Sequence, residues 1–482
     1  MVSAHDELSD ASPYAVTPLS SDAPSVAPKA LPALAGYRTE IRALMVLAGP
    51  LILGFLGNNI LGLVDTAMVG RLGENELAAT AVGGGVFFAI SCLGMGAVLG
   101  ADPLLSQAIG AGEGARAEAT RSASLRLAFV LSLPLMAAIL GIAWLLPVFG
   151  VKHAVAHASL LFLLGRTPSV LPFLLFAALR GYLQARTVTR PIIIASIVAN
   201  IVNFGFNAIL IYGDGALLWL DLPPVGLPAL GVLGSGIASS LATLTMAAVL
   251  YSADRRLPAL PGLGDIAVNA YSVLRVGTPI GLTLLCEVGA FAAAGVIAAR
   301  ISANAGAGHQ VAIQLASTTF IVTLAIGAAT SVRVGQAVGK NDVHEVRVTG
   351  FLGLGVSTAF MCCTAILFLV FARPLAMLLS DQPGVVAASI PLIHIAAVFQ
   401  IFDGAQAVGS GALRGIGDTR FIQIANMVGY YVFGLPIALL LAFPLGMAER
   451  GLWWGLTAGL VVVAVMLFVR FGIRSTKPIV RI

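Results

Sequence analysis

The chain has 482 residues, of which 58% are hydrophobic and only 10% charged, and its net charge is +5. A soluble globular domain carries about 25% charged residues, so this composition excludes a water-facing surface over most of the molecule and implies lipid. Nucleic acid is not implied by the basic excess, because Arg and Lys are dispersed over short segments instead of being gathered into a stripe.

Residues 1–36 are dominated by Ser, Asp, Ala and Pro, and no charged segment leads into a short apolar core with a cleavage site. They read as a disordered cytoplasmic tail, not as a signal peptide. Beyond them, apolar runs long enough to cross a bilayer recur at 44–70, 77–100, 125–147, 158–180, 191–213, 229–252, 272–299, 309–332, 346–372, 386–413, 421–443 and 451–473. These predict twelve transmembrane helices in an all-α integral membrane protein. Most Lys and Arg fall on the side that carries both termini; the other side holds Arg71, Lys152, Arg300, Arg373 and Arg450, and Arg166 stays inside a span as the only deep basic residue. Basic residues accumulate on the cytoplasmic side of membranes, which puts both termini in the cytoplasm. Cys92, Cys286, Cys362 and Cys363 fall in spans without a C-x-x-C pattern, and the histidines lack ligand spacing. No metal site is expected.

The chain repeats itself. Pro50 in "AGPLILGFLGNN" returns as Pro279 in "GTPIGLTLLCEV", and Gln107 in "SQAIGAG" as Gln336 in "GQAVGKN", both 229 residues later; "AALRG" at 177–181 returns as "GALRG" at 411–415. Two six-helix lobes related by a pseudo-two-fold axis along the membrane normal follow. The N-lobe is expected at 37–252, a cytoplasmic linker at 253–271 and the C-lobe at 272–482. Pro50 and Pro279 each remove a backbone hydrogen bond and permit bending.

Glu287 and Asp403 sit mid-span, where an ionised acid is costly and normally faces a cavity, a partner or an ion. A bland alternative is a structural acid bonded to a neighbouring helix. The repeat maps Glu287 onto Asn58 and Asp403 onto Ser169, whereas Asp65 maps onto Ala294, so the acids are distributed asymmetrically. Asp65 lies near the outer end of its helix and could reach water by snorkelling. Asn203 and Asn207 are i, i+4 on one helix face, with interhelical hydrogen bonding as the plainer role. Arg166 could pair with an acid across a cavity or extend to the interface. Asp102, beside Pro103, reads as an interfacial or kink-associated residue. No P-loop, nucleophile elbow or zinc motif occurs, so uphill transport must draw on an ion gradient.

In combination, "LGLVDTAMVGRLG" at 61–73, "CEVGAF" at 286–291, "GHQVA" at 308–312, "VRVGQAVG" at 332–339 and "FDGAQAVGSGALRG" at 402–415 resemble the multidrug and toxic compound extrusion (MATE) family, in its NorM-like branch, over about residues 40–473. The resemblance implies that Asp65 is a functional acid and that Glu287 and Asp403 take part in cation coupling, with Na⁺ as one candidate occupant. Some proton-coupled relatives carry Asp where this chain has Asn207, which leaves Asp65 as the main N-lobe acid. Asn58, Asn203, Asn207 and Arg166 are expected to line the substrate cavity. The implied activity is export of amphipathic, often cationic small molecules in exchange for H⁺ or Na⁺, by rocking of the lobes, without a cofactor, in a monomer of the bacterial inner membrane. The alternative is a flippase for a lipid-linked substrate, which would need a strongly cationic groove.

Overall fold

The computed structural model describes residues 33–218, 223–261 and 268–482. Twelve helices are long and apolar enough to span a bilayer: α1 Gly36–Val69, α2 Glu74–Gly110, α3 Gly114–Leu145, α4 His153–Ala185, α5 Arg190–Tyr212, α6 Val232–Arg256, α7 Ala270–Ile301, α8 Ala303–Gly339, α9 Val343–Val370, α10 Pro383–Ile416, α11 Thr419–Ala442 and α12 Ala448–Arg474. Each covers one of the twelve apolar runs. Most reach further, because a helix can continue into water after its apolar stretch has crossed about 30 Å of hydrocarbon; α2 and α8, at 37 residues, are each about 55 Å long at 1.5 Å per residue.

Two expected boundaries move. The tail expected at 1–36 lies outside the described residues up to residue 32, and the chain is already helical from Ala33. The linker expected at 253–271 is narrower, since α6 runs to Arg256 and α7 begins at Ala270, with 262–267 outside the described residues. Residues such as Leu133, Trp144, Ile201 and Val370 stay exposed on the outer surface, a pattern that suits acyl chains and not water.

Several spans are irregular. Pro50, Pro134, Pro279 and Pro391 lie inside α1, α3, α7 and α10. A 3₁₀ turn at Thr167–Ser169 interrupts α4, and a π-helical stretch, Val428–Gly434, interrupts α11. The 3₁₀ turn winds the chain more tightly than an α-helix and the π stretch more loosely, and π stretches inside α-helices are frequent at functional sites.

Helices α1–α6 and α7–α12 form the two lobes, and among the described residues the hydrogen bonds and salt bridges between lobes gather at one end. That end is the basic face, the side carrying Ala33 and Ile482. There, a Cβ on Gly96 of α2 would collide with the backbone of Gly281 on α7, and one on Gly100 with Gly277; the absent side chains let the two helices touch backbone to backbone. Gln107 Nε2 donates to Gly415 O at 2.9 Å and its repeat mate Gln336 Nε2 donates to Ala185 O at 2.9 Å, each reaching into the other lobe. Arg333 pairs with Glu40 at 2.6 Å, Arg481 with Glu113 at 2.7 Å, and Arg116 donates to Ile482 O at 2.8 Å. Leu44, Leu47, Ala48 and Leu51 of α1 share one core with Ala325, Ile326 and Ala329 of α8. Among the described residues, the hydrogen bonds joining the lobes are all of this kind, and the seam is closed on the basic face.

Candidate functional site: two acid clusters in the membrane interior

The N-lobe cluster is built by a polar stripe on α5. Ser196, Asn200, Asn203 and Asn207 recur at steps of four, three and four, the spacing of one helix face, and that face lies on α1. Asn200 Nδ2 donates to Gly57 O at 2.9 Å, and Gly57 is small because a Cβ there would overlap the Ser196 hydroxyl. Two turns further along α1 the stripe meets Asp65. Asp65 Oδ1 accepts from Asn203 Nδ2 at 2.9 Å and Asn207 Nδ2 at 2.6 Å, while Oδ2 accepts from Ser239 Oγ of α6 at 2.5 Å. Asn207 Nδ2 also reaches Asn203 Oδ1 at 3.1 Å, and both asparagines are completely buried. A carboxylate offers only acceptors, and here three protein donors take the place of water.

Arg166 belongs to the same lobe without forming a salt bridge. Its guanidinium stacks over the Phe87 ring at 4.8 Å and its Nη1 is buried with no hydrogen-bond partner, while Asp65 lies within electrostatic reach. Between the two readings left open by the sequence, the geometry favours an inward-facing arginine near an acid. Asn58 is exposed, on the same face of α1 as Asp65 but two turns nearer the basic face, and stands apart from the cluster.

The C-lobe cluster is of another kind. Asp403 of α10 is buried, at 5% exposure, and Glu287 of α7 is partly buried; the two carboxylates feel each other's charge. Gln406, one turn along from Asp403, lies against Glu287 and donates from Nε2 to Asn426 Oδ1 of α11 at 3.2 Å. The π-helical stretch of α11 brings Tyr430 into the same space, fully buried, its hydroxyl without a partner and facing both acids. Phe291 stacks edge-on against Tyr430 at 5.8 Å and against Phe399 at 5.9 Å, and Phe399 meets Trp453 at 5.6 Å. Two acids sit in an aromatic wall with one amide beside them, and acids placed so deep normally face a cavity, a partner or an ion. Among the described residues no group of three or more His, Cys, Asp or Glu converges as a transition-metal site would.

The structure therefore brings Asp65, Asn203 and Asn207 together in one lobe and Glu287 and Asp403 in the other. Ser239, Gln406, Asn426 and Tyr430 were missed. A Ser or Gln in an apolar helix carries no signal of its own, although the α5 stripe did announce that something polar had to face it.

Comparison with known proteins agrees with this architecture. The MatE family model matches residues 50–209 and again 279–440, once in each lobe. The chain is 35% identical over 446 residues to a probable multidrug resistance protein NorM of Deinococcus radiodurans, covering 90% of this chain and 96% of that protein. It is 33% identical over 460 residues to a probable NorM of Pseudomonas putida, covering 91% and 96%. The fold also matches the crystal structure of a eukaryotic MATE transporter with a TM-score of 0.80 at 23% identity, covering 90% of this chain and 96% of that one. It matches an outward-facing multidrug resistance MATE transporter equally well, with a TM-score of 0.80 at 20% identity over 90% and 95%. This chain belongs to the MATE family of membrane transporters and is similar to its NorM proteins; it is a carrier and not an enzyme.

Proposed function

We propose that this chain is a multidrug efflux antiporter that exports amphipathic, often cationic small molecules in exchange for H⁺ or Na⁺, with the basic face and both termini in the cytoplasm of a bacterial cell. The observation that carries the proposal is the placement of an acid cluster in each lobe, in the membrane interior, beyond a seam closed on the basic face. With that face cytoplasmic, the described arrangement is outward-facing, the state in which coupling cations enter and drug leaves.

The cycle follows from charge. A cation arriving from outside is held at Glu287 and Asp403, which neutralises the C-lobe wall and weakens its hold on a cationic drug. The lobes then rock, breaking the Gln107, Gln336 and Arg333 contacts on the cytoplasmic side and opening the cavity inward. There the cation leaves and the recovered negative charge takes the next drug molecule. Competition for one charge couples the two movements, and Asp65, with its asparagine and serine donors, supplies a second acid in the N-lobe. Aromatic residues around the C-lobe acids suit a flat cationic ring system.

The test is efflux of a fluorescent cation from proteoliposomes carrying an imposed H⁺ or Na⁺ gradient. Efflux that ignores both gradients, in protein that still binds the dye, overturns the antiport reading. The flippase alternative gains no support from Arg180 and Arg414, which lie deeper than the sequence suggested, because Asp102 stands in the field of both and offsets their charge.

A further inference from the structure

Three charged residues at the seam have no part in the cycle just described. Arg180 of α4 and Arg414 of α10 are repeat mates, the arginines of "AALRG" and "GALRG". The sequence places both in basic-face loops; the structure draws both into the lobe interface, with their Nε atoms buried and without hydrogen-bond partners. Between them stands Asp102 of α2, whose carboxylate packs so closely on α4 that a Cβ at Gly181 would strike its Oδ1. Arg180, Arg414 and Asp102 all lie within one another's electrostatic reach. The seam around them is nearly symmetric, with Gln107 matched by Gln336 and Arg180 by Arg414, but Asp102 has only Ser331 as its mate. One acid breaks the symmetry, and it belongs to the N-lobe.

Arg414 also lies in the field of a second acid. Helix side chains lean towards their own N-terminus. α10 starts at the face opposite the basic one and α7 starts at the basic face, so Arg414 leans away from the basic face while Glu287 leans towards it. Arg414 accordingly feels both Asp102 and Glu287. Asp102 sits on the other lobe, held to Arg414's end of α10 by the Gln107 to Gly415 bond, whereas Glu287 shares the C-lobe with Arg414.

We propose that Arg414 is a shared counter-ion that changes partners as the seam opens: Asp102 holds it while the seam is closed, and Glu287 takes it when the lobes part. The idea rests on the reading of Glu287 as part of the cation site. In the closed seam Asp102 draws the guanidinium's charge away from Glu287, which stays available to a cation from the far side. When the lobes separate, Asp102 departs with the N-lobe and keeps Arg180, so neither is left unpaired. Arg414 stays within reach of Glu287 and repels the bound cation into the side now open. Arg414 thus acts as a positioning residue for cation release, and Asp102 as the sensor of seam closure.

The experiment measures apparent cation affinity of the purified full-length chain in nanodiscs, by Na⁺ titration at high pH and by proton uptake without Na⁺. Asp102→Asn frees Arg414 to occupy Glu287 and is expected to weaken cation binding, while Arg414→Gln is expected to tighten it, each by about tenfold, within the usual range of coupling between sites. The double variant should match Arg414→Gln alone, because Asp102 acts only through Arg414. Arg414→Lys keeps a charge on a similar stem and should stay near wild type, which guards against a folding defect. Spin labels at Ser252 and Thr476, with the four native cysteines replaced, should report a more open basic face in Asp102→Asn. Unchanged cation affinity in both single variants, or an Asp102→Asn effect that persists without Arg414, overturns partner exchange and leaves a static latch. Glu287→Gln separates the two claims: a titration unaffected by it removes the Glu287 cation site and this proposal with it, whereas a titration lost in it alone overturns the exchange only.

Discussion

The two lobes share an ancestry of sequence and differ in how they treat an acid. In the N-lobe a single carboxylate, Asp65, is met by three donors from two other helices, at 2.9, 2.6 and 2.5 Å. In the C-lobe two carboxylates, Glu287 and Asp403, share a pocket where the one amide, Gln406, serves both Asn426 and Glu287, and the Tyr430 hydroxyl has no partner. Three protein donors surround the first; the second pair has few donors at hand, and it is on this shortage that the proposed cation site rests. An acid in the membrane interior is thus not one kind of feature: one is ringed by protein donors and two are left short of them.

The largest effect expected from this contrast is in the C-lobe. Glu287→Gln and Asp403→Asn keep shape while removing one charge each, and either should abolish gradient-driven efflux with normal amounts of protein in the membrane. Resistance and efflux at wild-type level in both variants, at equal expression, would show that the pair binds no coupling ion.

The N-lobe should respond in a graded way. Asp65→Asn can keep the hydrogen bonds, since its Oδ1 still accepts from Asn203 and Asn207 while its amide donates to Ser239, whose hydroxyl can turn to accept. We expect efflux to fall and thermal stability to hold. Asp65→Leu orphans three buried donors and should also lower stability, by about 1–3 kcal/mol for each group left without a partner. Asn207→Asp would sharpen the comparison by facing Asp65 with a second carboxylate across 2.6 Å, giving the N-lobe the C-lobe's charge pattern. A gain in cation dependence of efflux is expected from it, and no change in that dependence would break the argument that two adjacent acids make the ion site.

How much of this was legible beforehand varies with the range of the interaction. The twelve helices were readable because apolar length is a local property, and the lobes because the repeats at Pro50/Pro279 and Gln107/Gln336 survive in the sequence. Asp65, Glu287 and Asp403 stood out by being charged where neighbours are apolar. Ser239 did not, because its bond to Asp65 spans 174 residues of chain and a serine alone in a helix usually bonds back to its own backbone. Arg180 and Arg414 were misplaced for a related reason: they end apolar runs, so hydropathy assigns them to loops, and only tertiary packing, such as Phe55 and Phe176 against Arg180, takes them out of water.

A smaller effect separates the lobes as charge carriers. Exchange of one monovalent ion for one monovalent drug moves no net charge, so a membrane potential, worth about 2.3 kcal/mol per charge per 100 mV, could not drive it. With acids in both lobes, we expect more than one positive charge to enter for each monovalent drug that leaves. Efflux from vesicles held at zero and at about 100 mV, inside negative, without a pH or Na⁺ gradient, measures this directly. A drug that does not respond to the potential means one-for-one exchange, and then at least one of the three acids has no share in coupling.

The smallest effect concerns an acid outside the membrane, which tests the same principle in water. Asp214, just beyond α5, accepts from the backbone N–H groups of Leu227 at 3.0 Å, Val225 at 3.1 Å and Gly226 at 2.9 Å, closing the loop between α5 and α6. These bonds favour its ionised form, led by the one from Leu227, and hold its carboxyl below the usual value. A lowered value in the folded loop means that the stabilisation is fully present above the ordinary carboxylate range and is lost as pH falls through the lowered value. Asp214 is only partly buried, in a loop outside the spans, so the consequence should be local. Asp214→Asn should speed hydrogen exchange at the amides of Val225, Gly226 and Leu227 at neutral pH while leaving efflux nearly unchanged. In the wild type, protection of these amides should persist on acidification until the pH drops below that of a free aspartate. Equal exchange in the two proteins would mean that donors surrounding an acid in water order nothing, and that the order seen around Asp65 depends on its removal from water.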